Sequence, residues 1–117
     1  MPKVDDVVGS GLASLASQRD AAERDGLSCA FAVMNRESGK VFVASTWKGA
    51  AAAWESHLAA LRAGKHAMRH LQAAFKKYGE GAFSICAVVP CDAADIHAEE
   101  DKLVDRLGSK DQKRGYN

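Results

Sequence analysis

The sequence predicts an α+β domain in which a small antiparallel three-stranded sheet is flanked by helices, with an additional helix at the N-terminus. Three observations predict it. Two short apolar runs, CAFAVMN at 29–35 and VFVA at 41–44, are joined by the turn sequence RESG. A third run, AFSICAVVP at 82–90, is bounded by glycine and proline. Between the second and third runs, apolar residues recur at the helical period rather than the strand period.

In chain order, Val4, Val8, Leu12, Leu15 and Ala22 mark one face of an N-terminal amphipathic helix, which Gly9 and Gly11 weaken by about 1 kcal/mol each relative to alanine. DGLS ends that pattern, and residues 29–46 then read as a β-hairpin with a loop longer than two residues. Trp54, Leu58 and Leu61 stand at i, i+4 and i+7, the stripe of a helix that Gly64 terminates. A further helix carries Met68, Leu71 and Phe75 on one side, with Lys76 and Lys77 at its C-terminal end, where cations favour the helix dipole. After the third strand, Asp92 and Asp95 supply an N-cap and an acidic first turn for the last helix. Its apolar stripe is Ile96, Leu103 and Leu107.

With 117 residues the chain is one small domain's worth, able to bury a single core without a disulfide or metal. Composition is that of a globular protein, 47% hydrophobic and 26% charged. The net charge of +1 makes any basic footprint local rather than global. Cys29, Cys86 and Cys91 lack CxxC spacing and read as reduced thiols, Cys29 and Cys86 as small core residues. The N-terminus has acidic residues where a signal peptide is basic, and no apolar run reaches membrane-spanning length. The expectation is a cytoplasmic protein without a membrane partner.

Glu100 falls inside the stripe of the last helix, four residues after Ile96 and three before Leu103, which points a carboxyl toward the core side. His57, Arg62, Lys65, His66, Arg69, His70, Lys76 and Lys77 form a locally basic segment, read either as a solvated face or as a phosphate-contacting surface. Trp47 and Lys48 follow the second strand. Trp47 is a candidate for base stacking or for anchoring a protein partner, although an aromatic at this point more commonly caps the edge of the core.

The element order, together with SGKVFVAST at 38–46, WESHLAALRAGKH at 54–66, HLQAAFKKYGEGAF at 70–83 and the closing GYN, resembles the GIY-YIG nuclease family, especially the catalytic domains of homing endonucleases. The resemblance covers about residue 29 to 117, dividing the chain into an N-terminal helical extension (1–27) and a GIY-YIG-like domain (28–117). The first signature of the family falls on Cys29, Ala30 and Phe31, and the second on Phe42, Val43 and Ala44. The family's helix arginine falls on Ala53 and its metal-binding glutamate on Glu100.

In active relatives, the resemblance implies, the two tyrosines help activate and position the attacking water, the arginine neutralises charge building on the phosphate, and the glutamate holds a divalent ion. Phenylalanine has no proton to donate or accept. Alanine removes an electrostatic contribution often worth several kcal/mol of barrier. The expectation is a catalytically inactive domain that needs no cofactor and acts by binding, as an accessory or inhibitor protein of a phage or mobile element. Its candidate binding residues are Trp47, Lys48, His57, Arg62, Lys65, His66, Arg69 and Lys77. Near-neutral charge favours a protein partner narrowly over DNA or RNA. The alternative is a divergent endonuclease using Mg2+ at Glu100, with His57, Lys48 or Ser45 as substitutes for the lost groups.

Overall fold

The computed structural model describes residues 27–117; the expected N-terminal helix lies outside the described residues. The sheet has the order β2-β1-β3, built from β1 (Cys29–Asn35), β2 (Val41–Thr46) and β3 (Phe83–Pro90), all antiparallel. The run at 82–90 therefore pairs with the hairpin, along its central strand. The hairpin turn is closed by Gly39, whose φ of 78° is open to glycine at little cost and whose N–H donates to the Asn35 carbonyl. The Asn35 side chain accepts the Glu37 N–H at 2.9 Å, stiffening the same turn.

Three helices complete the domain: α1 (Ala50–Arg62), α2 (Arg69–Tyr78) and α3 (Ile96–Leu107). Alternation along the strands divides the core in two. Phe31, Val33, Phe42 and Val88 face α1 and α2, meeting Trp54, Leu58, Leu61 and Leu71. Ala30, Ala32 and Val43 face the other way, onto Leu103 and Val104 of α3. The small alanines on β1 let α3 lie close to the sheet. A bulge between Ala32 and Val33 in the β1 to β3 pairing leaves Cys86 as the extra residue, half-buried. Burial, and after it Cys91, pushes the Cys29 thiol up to about 11, which suits an inert core residue.

One expectation needs correcting. Asp92 and Asp95 do stand at the two N-cap positions before α3, but neither side chain caps it. A 3-10 turn over Ala93–Asp95 intervenes, and the Asp95 N–H is satisfied by the Asp92 backbone carbonyl at 2.8 Å. Among the described residues no helix is long and apolar enough to cross a membrane.

β2 is an edge strand, and the C-terminus closes part of that edge. Val41 donates to the Arg114 carbonyl and accepts from the Tyr116 N–H. The Asn117 amide then spans Val43, accepting its N–H at 2.8 Å and donating to its carbonyl at 2.9 Å. Gly115 permits this approach: a Cβ there would overlap the backbone of Ser109. Tyr116 is buried, and its hydroxyl accepts from Asn35 at 3.1 Å.

Candidate functional site

A cleft of about 320 Å³ opens where the end of β2 meets the start of α1, lined by Ser45, Thr46, Trp47, Lys48, Ala53, Ser56 and His57. Local sequence shapes it. The Thr46 hydroxyl accepts the Lys48 N–H at 3.1 Å, folding the strand end into a tight turn. Gly49, with φ 95°, then redirects the chain into α1. That turn throws Trp47 outward, 69% exposed, so it does not cap the core as its residue type suggested. Lys48 reaches back across the cleft, its Nζ donating to Ser56 Oγ at 3.0 Å.

Behind the cleft lies a cluster of rings. Phe42 is buried and meets His57 edge-on at 5.0 Å between centroids and His66 at 6.1 Å. His57 Nδ1 and His66 Nε2 are 2.9 Å apart. The hydrogen-bond network assigns the proton between them, because His66 Nδ1 already accepts the Met68 N–H at 3.0 Å. A neutral His66 therefore carries its proton on Nε2 and donates it to His57 Nδ1. A neutral His57 in turn carries its proton on Nε2 and has no lone pair left to accept another. Burial, and then the neighbouring His66 and Lys48, lowers the pKa of His57; burial lowers that of His66. Both rings are thus held neutral, and neither offers a free basic nitrogen.

Ser45 belongs to the opposite face of β2 from Phe42, and through it α3 reaches the rim of the cleft. Ser45 Oγ donates to Glu100 Oε1 at 2.5 Å, and Glu100 is half-buried. Among the described residues no group of three or more His, Cys, Asp or Glu is placed to hold a metal ion. A divalent ion at Glu100 would have one protein carboxyl, already engaged by a hydroxyl, and would draw its other ligands from phosphate and water.

Of the positions on which the resemblance places the signatures, Phe31, Phe42, Ala44 and Ala53 share the core cluster behind the cleft, while Ala30 and Val43 face α3. Phe31 is fully buried in the core and Phe42 nearly so, Ala44 sits beside them, and Ala53 lines the cleft wall. The basic segment is divided by the fold. Arg62, at the end of α1, is taken up by carboxylates: Nε and Nη2 donate to the two Glu80 oxygens at 2.8 and 2.7 Å, and Nη1 to Glu55 at 2.8 Å. The forked ion pair raises the pKa of Arg62 and lowers that of Glu80. The pair is solvent-exposed, with the Arg62 side chain 47% accessible, so it constrains the guanidinium only weakly. Lys65, His66 and Arg69 instead line a separate groove with Gln72 and Lys76. Lys77 faces the other side of α2, with Lys40, His70, Tyr78 and Tyr116. Lys40, which lines the groove on that side, is not legible in the sequence as a site residue.

The structure is similar to that of the catalytic domain of the homing endonuclease I-TevI, with a TM-score of 0.65 and 33% identity over 77% of this chain and 96% of that one. A mutant of the same catalytic domain gives a TM-score of 0.65 and 29% identity, over 78% of this chain and 92% of the other. No protein-family profile and no curated protein sequence matches the chain.

Proposed function

Because the chain belongs to the GIY-YIG nuclease family, we propose that it is a non-cleaving member which uses the inherited cleft to bind nucleic acid. The observation that carries this reading is the His57 and His66 pair. With the hydroxyls missing at Phe31 and Phe42 and the guanidinium missing at Ala53, a histidine is the remaining candidate base beside the cleft. Its lone pairs are spent on the Met68 N–H and on the partner ring. Neither histidine is then free to activate water, the Glu100 carboxyl at the rim is engaged by Ser45, and the cation that lines the cleft, Lys48, is a point charge without the bidentate fork.

Binding groups, by contrast, are present. Lys48 and Ser56 supply an ammonium and a hydroxyl for a phosphate oxygen, and Trp47 stands exposed at the mouth, where an indole stacks on bases of any sequence. Concentration of cations around the cleft and α2 favours nucleic acid over the protein partner that the net charge suggested. A protein reading, in which the chain is an accessory or inhibitor factor, draws its support from the exposed Trp47 as an interface anchor.

The test is incubation of supercoiled plasmid with stoichiometric protein in Mg2+ or Mn2+, alongside a gel shift. The expected result is a shift without nicking. Nicking that disappears in Glu100→Ala would replace this reading with that of a divergent endonuclease, and a protein that shifts no nucleic acid but captures a partner through Trp47 would replace it with the protein reading.

A further inference from the structure

Of the residues that α2 exposes, 69, 70, 73, 76 and 77 share the i, i+1, i+4, i+7, i+8 spacing of one helical face, with Tyr78 exposed at the helix end, while Leu71 and Ala74 are buried on the other side. Four of the five are Arg69, His70, Lys76 and Lys77; the fifth, at the centre, is Ala73. A groove runs along each side of Ala73. One, of about 480 Å³, is lined by Lys65, His66, Arg69, Gln72 and Lys76. The other, of about 210 Å³, is lined by Lys40, His70, Lys77, Tyr78 and Tyr116. No carboxylate lines either groove, and the side-chain ion pairs among the described residues involve Arg62 and Lys102, not these cations.

The cations are also placed. Lys40 Nζ lies over the Tyr116 ring at 5.9 Å and Lys77 Nζ over Tyr78 at 5.2 Å, contacts that hold ammonium groups at the groove wall rather than letting them sweep through solvent. His66 belongs to the first groove and is hydrogen-bonded to His57, which lines the cleft. The first groove and the cleft thus adjoin through the two histidines. From Arg69 to Lys76 the helix advances about 10 Å, which matches about three base-pair steps of rise along the axis of B-form DNA.

We propose that this face of α2 is a docking strip for the phosphate backbone of duplex DNA, distinct from the cleft and adjoining it at His66. The small Ala73 leaves the centre of the strip low between two cationic ridges, so a backbone can settle along the helix. The strip reads charge and not bases, and it supplies affinity that the single ammonium of the cleft cannot. The inference rests on the nucleic-acid reading of the cleft.

The test is fluorescence anisotropy of a labelled mixed-sequence duplex with the full chain over a series of salt concentrations. Lys40→Gln/Arg69→Gln/Lys76→Gln/Lys77→Gln is compared with wild type and with Lys102→Gln, which lies on α3 across the sheet. Circular dichroism establishes that each variant is folded. Each lost phosphate contact flattens the plot of log K against log salt by about 0.9, so the quadruple variant is expected to lose up to about 3.6 in slope and at least tenfold in affinity at low salt. Lys102→Gln is expected to match wild type. An unchanged slope in the quadruple variant, with binding lost instead in Trp47→Ala/Lys48→Gln, overturns the strip and leaves the cleft reading standing. Absence of salt-dependent binding by the wild type at low salt overturns both.

Discussion

His66 Nε2 lies 2.9 Å from His57 Nδ1, and the Met68 N–H on the far side of the His66 ring fixes the direction of the proton between them. Adding a proton to either ring breaks this chain: on His66 Nδ1 it displaces the Met68 bond, and on His57 Nδ1 it sets two N–H groups against each other. Lys48 and the low polarity around Phe42 act in the same direction.

A pH dependence of stability follows. Both histidines have folded-state pKa values below the ordinary 6.5, so below that pH the unfolded chain binds protons that the folded chain refuses. The stabilisation is complete above 6.5 and is lost as the pH falls from there toward the lowered folded-state values. Urea midpoints are expected to fall between about pH 7 and about pH 5. The His57→Gln/His66→Gln variant should show a shallower fall over the same interval; an equally steep fall in that variant would refute the assignment.

The Asn117 amide completes the hydrogen bonding of Val43 on the sheet edge, through both its oxygen and its nitrogen. Asn117→Ala leaves the Val43 N–H and carbonyl without these partners beside a buried side chain. The expected cost is about 1–3 kcal/mol in chemical denaturation. Asn117→Asp keeps the acceptor for the N–H but loses the donor to the carbonyl, so it should fall between wild type and alanine. Gly115→Ala should cost more than either, because the added Cβ meets the backbone of Ser109, which has no freedom to move aside.

Much of this architecture is written in local periodicity. The stripe of Trp54, Leu58 and Leu61 is buried as its spacing requires, and the three apolar runs pair in one sheet. Glu100, singled out by its place in a helical stripe, does turn toward the sheet and meets Ser45. What sequence does not carry is contact between distant positions. Arg62 reads as a free cation until the fold brings Glu80 alongside it, and Lys40 joins Lys77 only because the hairpin and α2 converge on Tyr116. The outward turn of Trp47 depends on a hydroxyl bond from Thr46 and a positive φ at Gly49, neither visible in a count of apolar residues.

If the proposed loss of cleavage comes from lost chemistry rather than lost geometry, restoring the groups should restore cleavage. Phe31→Tyr, Phe42→Tyr, Ala44→Gly and Ala53→Arg return the family's residues to four positions of one core cluster, of which Ala53 lines the cleft. The combined variant is expected to nick supercoiled plasmid in the presence of Mn2+ above the wild-type level, and Glu100→Ala in that background should abolish the nicking. A folded combined variant that does not nick would show that the scaffold itself has moved away from a cutting geometry.

The two tryptophans allow the cleft reading to be followed optically. Trp54 is 8% exposed in the core, whereas Trp47 is 69% exposed at the cleft mouth. In Trp54→Phe the remaining emission reports Trp47 alone, and it should be red-shifted and readily quenched by acrylamide. If bases stack on the indole, an oligonucleotide should quench this emission and shield it from acrylamide, whatever its sequence, because every base offers a π-face. Stacking of this kind is worth about 1–3 kcal/mol per base, so Trp47→Ala should weaken binding by a factor of roughly 5 to 150. The salt slope should stay unchanged, since no phosphate contact is lost with the indole. An emission that does not respond while the oligonucleotide is bound would remove Trp47 from the nucleic-acid site and leave the cations of α2 to account for the binding.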